Sequence, residues 1–141
     1  MPAPVAFYFE NTAGRILEDA SGFVRVYWSR NERQLSDTRA LFTHMSQAMQ
    51  RRGWNRMLIN QLDMRPFSQE EQQWVAHEWL PRAVQVAGYR FGAVVVSRDV
   101  LVRLATAYIT TNVQGLALQY RSFENEADAA AWLLAQQPLQ V

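Results

Sequence analysis

The chain opens on alternation of apolar and polar positions. Residues 5–10 (VAFYFE) alternate loosely, and 23–28 (FVRVYW) put Val24, Val26 and Trp28 on one face, so both segments predict strands. Arg15–Glu18 is a short strand between them, bounded by the turn runs Asn11-Thr12-Ala13-Gly14 and Asp19-Ala20-Ser21-Gly22. Three strands on short turns predict an antiparallel meander.

After Trp28 the period becomes helical. Ser36 is the expected N-cap and Asp37 suits the first turn. Leu41, Phe42, Met45, Ala48 and Met49 form one apolar stripe, and Arg51, Arg52 and Gly53 mark the stop. His44 sits off the middle of that stripe. Met57–Leu62 is the next strand; Met57, Leu58 and Ile59 are consecutive apolar residues, as in a strand covered on both faces. Asn60 interrupts that run, and a buried amide needs partners.

Ser68-Gln69-Glu70-Glu71 is a capping box, in which the serine hydroxyl accepts from the Glu71 N–H while Glu71 reaches back. The helix behind it carries Trp74, Val75, Leu80, Ala83, Val84 and Ala87 as a core stripe and ends at Gly88. Pro81 lacks an N–H and is expected to kink or restart it. Tyr89–Ser97 reads as the most buried strand, with Gly92 and Ala93 suggesting close approach of a neighbour. Asp99 caps a helix whose inward residues are expected to be Val100, Leu101, Leu104, Ala105 and Tyr108, with a polar end over residues 110–114. Leu116, Leu118 and Tyr120 alternate with polar or small residues as a half-exposed strand. A last helix starts at Glu124 or Asn125, turns Ala129, Ala130, Trp132 and Leu133 inward, and stops at Pro138.

The order βββ-α-β-α-β-α-β-α predicts a single α/β domain: a mixed, mostly parallel sheet with right-handed crossovers, about four helices and an antiparallel N-terminal meander. At 141 residues, 49% of them hydrophobic, such a domain buries a sizeable core. The composition then narrows the chemistry. With no cysteine, disulfides, thiolate metal sites and cysteine nucleophiles are excluded. The 14 basic residues are all arginine and the net charge is only +1, so nucleic acid is not an expected partner. No apolar run reaches the length of a transmembrane helix, and the N-terminus lacks a signal-peptide pattern, so a cytoplasmic protein is expected.

Catalytic motifs do not emerge. His44 and His77 fall on different helices, no HExxH or histidine pair is present, and no P-loop, GxGxxG or GxSxG run occurs. No metal, cofactor or enzyme activity is expected. The loop Asp63–Ser68 has the best mechanical rationale for binding. It lies at the carboxyl end of a parallel strand, where α/β sheets place ligands, and at a helix N-terminus, which favours anions. Asp63, Arg65 and Ser68 are its candidate residues, and Trp74 on the following helix is a candidate for covering an apolar ligand.

With these elements placed, the chain resembles the STAS superfamily (sulfate-transporter and anti-sigma-factor-antagonist domains), and within it the SpoIIAA-like bacterial proteins, often described together with the CRAL-TRIO fold. The resemblance covers roughly residues 7–136. It rests on GRILEDASGFVRVYW, MLINQLDMRPFSQEE, WLPRAVQVAGYRFGAVVVSRDV and FENEADAAAWL in that order. It implies a small sandwich with helices packed mainly to one side of a mixed sheet. In anti-sigma antagonists a serine near the start of the helix after the central strand is phosphorylated; the corresponding region here holds Ser68, without the Asp-Ser-[Ser/Gly]-Gly run. The expected function is a non-catalytic regulatory or binding module. Its partner would be a protein, a second copy in a homodimer, or a small apolar or anionic ligand near residues 60–71. Carriage of a lipophilic molecule is the alternative.

Overall fold

The computed structural model describes residues 4–111 and 115–136. Six strands form one sheet in the order β1-β2-β3-β4-β5-β6: Val5–Glu10, Gly14–Asp19, Phe23–Trp28, Arg56–Asn60, Phe91–Val95 and Gln119–Phe123. The first three pair antiparallel; β3–β4, β4–β5 and β5–β6 pair parallel. The protein is thus α/β with a mixed sheet, as the order of elements predicts. The helices are α1 (Leu35–Arg52), α2 (Gln69–Trp74), α3 (Leu80–Gln85), α4 (Val100–Thr110) and α5 (Glu126–Ala135). A π-helical turn, Val75–Trp79, joins α2 to α3, so residues 69–85 make one continuous rod.

Strand order never reverses. Right-handed crossovers that always step the same way put their helices on the same face. Side chains of α1, the rod and α4 accordingly share one core with Ile16, Val24, Val26 and Met57. The opposite face is closed by α5, whose Ala129 and Leu133 pack with Phe23, Leu58, Phe91 and Ala93. Arg56 of β4 helps hold α5 there, donating to the Leu133 carbonyl at 2.6 Å at the helix's C-terminal end. One consequence is that the sheet has no topological switch point, the usual ligand crevice of sheets whose order reverses.

Local differences from expectation have physical causes. Helix α1 is capped at Gln34 rather than Ser36, because the Asp37 carboxylate accepts from the Gln34 N–H at 2.9 Å. Gly53 ends it in the left-handed conformation, φ 69°. Pro81 does not interrupt its helix: the π turn just before it, closed by the Leu80 N–H on the Val75 carbonyl, absorbs the missing donor. Gly92 lies beneath the Tyr89 hydroxyl, where a Cβ would collide, so its close approach is tight packing by a side chain. The last strand begins at Gln119 rather than Leu116.

The largest correction is in α4. Its inward face is Val102, Ala105 and Ile109. Val100, Leu101, Leu104 and Tyr108, expected inside, point outward. The expected polar end at residues 112–114 and the stop at Pro138 lie outside the described residues.

Candidate functional site

The junction after β4 is built by a few anchors. The Gln61 N–H donates to the Val95 carbonyl at 2.9 Å, and the Asn60 side-chain oxygen accepts from the Leu62 N–H at 2.9 Å. That turn gives the buried Asn60 amide its partner. Met64 and Phe67 then sink into the core, which leaves Asp63, Arg65 and Ser68 on the surface. Asp63 pairs with Arg30 in an exposed ion pair, and the Arg65 Nε donates to the Arg30 carbonyl at 2.7 Å. The capping box forms: Ser68 Oγ accepts from the Glu71 N–H at 3.1 Å, and the Ser68 N–H donates to Glu71 Oε1 at 2.8 Å.

Behind this surface lies a buried ion pair. Arg33 Nε and Nη2 donate to the two Glu71 oxygens at 2.7 and 3.0 Å, with both side chains more than nine-tenths buried. The same guanidinium donates to the Arg65 and Pro66 carbonyls at 3.2 Å and lies 5.1 Å over the Trp28 ring. Thr38 of α1 donates its hydroxyl to Glu71 as well. Burial alone would raise the Glu71 carboxyl, but hydrogen bonds from Arg33, Thr38 and the Ser68 N–H outweigh it and hold its pKa below the usual carboxylate value. Glu71 is therefore the keystone that ties the β3–α1 connection and α1 to the junction loop. The capping box pointed to Glu71 only as a cap; Arg33 lies in the polar run before α1 and carries no motif.

Of the four predicted site residues, the structure brings Asp63, Arg65 and Ser68 onto one loop. Trp74 stands apart on α2, half-buried 6.0 Å from the Phe42 ring with Arg39 5.7 Å over its face. Its neighbour Trp79 is buried, its indole N–H donating to the Phe42 carbonyl at 2.9 Å. The other titratable groups near the junction diverge: Glu70 and His77 are exposed while Glu71 points inward. His44 stacks on Phe9 at 3.9 Å. Among the described residues no group of His, Asp or Glu is arranged to hold a metal, and no helix is long and apolar enough to cross a membrane.

Two hollows adjoin the junction, and sequence spacing pointed to neither. Helix α4 leans on α2 and the π turn, leaving a gap toward the sheet. That gap is an apolar cavity of about 60 Å³, walled by Trp28, Phe67, Val75, Trp79, Tyr89 and Ile109 among others. Outside it, between α4 and β6, runs an open groove of about 480 Å³ that includes Arg103, Ser122, Glu124 and Asp128. Gln61, Thr106, Thr110 and Tyr120 line both, so groove and cavity share a wall. Burial pushes the Tyr89 phenol far up and the Tyr120 phenol up to about 12, so both remain neutral O–H groups at ordinary pH. The lining residues come from elements spread from β3 to α5, a convergence that only the tertiary structure creates.

The outer side of α4 is the least ordinary surface nearby. Val100, Leu101 and Leu104 are 65, 64 and 63% exposed, and Tyr108 38%. Leu62 of the junction, 48% exposed, lies on a loop that borders the start of α4 across Ser97–Asp99. Gln73 of α2 donates to the Tyr108 hydroxyl at 2.8 Å, which fixes the other end of the helix beside the rod.

No protein-family model, curated protein or solved structure matches the chain.

Proposed function

We propose that this protein is a non-catalytic recognition module of STAS, SpoIIAA-like type, which binds a partner protein through the face formed by the 60–71 junction and α4. The observation that carries this reading is the apolar ridge Val100-Leu101-Leu104-Tyr108 beside Leu62. Val100, Leu101, Leu104 and Tyr108 follow one another along one side of the helix, and exposed apolar surface of this kind marks interaction sites. The junction loop is held rigid from behind by the Arg33–Glu71 pair, which preorganises the surface at little entropic cost on binding.

Immobilised wild type, Leu101→Glu and, as a control on the polar side of α1, Thr43→Glu are exposed to an extract of the source cells. A protein, an endogenous copy of this chain included, is expected on wild type and Thr43→Glu and lost from Leu101→Glu. The same proteins retained on all three would defeat the reading.

Carriage of a lipophilic molecule is the second reading, favoured by a groove that shares a wall with an aromatic cavity. The groove falls within the size range of small-molecule sites, but the cavity is several-fold below it. A lipophile would therefore place its polar end in the groove and displace the α4 side of the cavity to seat its tail. Solvent extraction of native protein followed by mass spectrometry is expected to release it; repeated extracts without any bound molecule would rule this out.

A further inference from the structure

We propose that the cavity between α4, the rod and the sheet binds a small uncharged carbonyl compound, whose oxygen accepts the Tyr89 hydroxyl hydrogen. The site lies inside the molecule, apart from the recognition face. It does not rest on carriage of a larger lipophile. Most polar side chains on the cavity wall are already engaged. The Trp79 indole N–H donates to the Phe42 carbonyl, Gln61 Nε2 donates to the Thr106 hydroxyl at 3.2 Å, and Thr110 donates to the Ala107 carbonyl at 3.0 Å. The Tyr120 phenol has the Ser122 hydroxyl beside it.

Tyr89 is the exception. Its side chain is only 2% exposed, and among the described residues its hydroxyl makes no hydrogen bond. A buried hydroxyl left unpaired carries the full penalty of losing water, so such groups are kept where something else bonds them. Among the described residues no unpaired side-chain oxygen or nitrogen is sealed off from a molecule the size of water. The Tyr89 hydroxyl is therefore open, and the space it opens on is the cavity it lines. It stands over Gly92 beside the Tyr120 ring, which belongs to the wall shared with the groove. Trp28, on the cavity wall and 3% exposed, has an indole N–H that is likewise without a partner among the described residues.

Both unpaired groups are donors, and that selects the ligand. Water accepts from them, but its own hydrogens would then lie against Phe67, Val75 and Ile109, and a buried water needs about two to four polar partners. A carbonyl oxygen accepts and brings no hydrogen of its own. An anion is disfavoured: no arginine or histidine lines the cavity, and the burial that keeps both phenols protonated penalises any negative charge. The volume of about 60 Å³ holds roughly four to six water-sized positions, the bulk of acetone or butanone.

Butanone titrated into isotope-labelled protein tests this by NMR, with sec-butanol, the same skeleton carrying a hydroxyl, in parallel. Saturable shifts are expected at the amides of Val75, Trp79 and Ile109, with a Kd on the order of millimolar, as suits so small a ligand. Sec-butanol should bind less tightly. In Tyr89→Phe the affinity for butanone should fall by about five- to tenfold, the worth of one hydrogen bond. Phenylalanine keeps the ring and removes only the unpaired hydroxyl, so that variant should keep a native spectrum. Shifts that do not saturate, a Tyr89→Phe variant that binds butanone as well as wild type does, or sec-butanol held as tightly as butanone each overturn the proposal.

Discussion

Helices α1 and α4 do the same topological job. Each carries the chain across from one parallel strand to the next, and both lie on the same side of the sheet. Their outward sides differ completely. The exposed positions of α1 are Ser36, Arg39, Thr43, Gln47, Gln50, Arg51 and Arg52, all polar. Those of α4 are apolar but for Arg103 and Thr111. Inward, α1 buries Leu41, Phe42, Met45, Ala48 and Met49 and is fastened by Thr38 to the Arg33–Glu71 pair. Helix α4 buries only Val102, Ala105 and Ile109. One crossover helix is finished against water; its counterpart is built as if something else covers it.

The comparison breaks first at Glu71, if the fastening of α1 is less than it looks. Removing one partner of a buried ion pair strands the other, so Glu71→Ala is expected to cost about 3–5 kcal/mol in urea unfolding. The pH dependence has a definite sign. The folded-state pKa of Glu71 is lowered from the ordinary 4.5, so its contribution is complete above that value and is lost as pH falls through the folded pKa. Wild type should therefore lose stability below pH 4.5 more steeply than Glu71→Gln does. Parallel pH profiles would show that the network adds nothing.

Next come two leucines on the two helices. Leu41→Ala on α1 removes a fully buried side chain and is expected to cost about 2–5 kcal/mol. Leu104→Ala on α4, measured at sub-micromolar protein, is expected to change stability by less than about 0.5 kcal/mol, because the side chain is in water. A large deficit already present in dilute protein would mean that α4 is covered within the monomer.

The same contrast explains what could be read from sequence. In α1 only one side is apolar, so the 3.6-residue period has one solution and Leu41 through Met49 come out right. In α4 apolar residues sit on both sides. The set Val100, Leu101, Leu104, Ala105 and Tyr108 fits the period as well as Val102, Ala105 and Ile109, and nothing local selects the phase. The six strands and the Ser68 cap were legible because each follows from residues close in sequence. The Arg33–Glu71 pair and the groove between α4 and β6 were not. Arg33 is 38 residues from Glu71, and only packing brings them together.

Ser68 carries a modest effect and the finest test. Its hydroxyl accepts the Glu71 N–H, so Ser68→Ala should cost about 1 kcal/mol, the ordinary worth of an N-cap. An unchanged urea midpoint would show that the buried Arg33–Glu71 contact positions this helix start without help from the cap. Ser68→Asp separates two influences. Aspartate caps about as well as serine and favours the helix N-terminus, but it adds a charge beside the Glu71 carboxylate, which already accepts the residue-68 N–H. The two should nearly cancel, leaving Ser68→Asp within about 0.5 kcal/mol of wild type at low salt. Added salt screens the exposed aspartate more than the buried pair, so the difference should shrink further. A phosphate at Ser68, bulkier and more highly charged, would meet the same carboxylate; an aspartate variant much less stable than Ser68→Ala would show that this helix start tolerates no added negative charge.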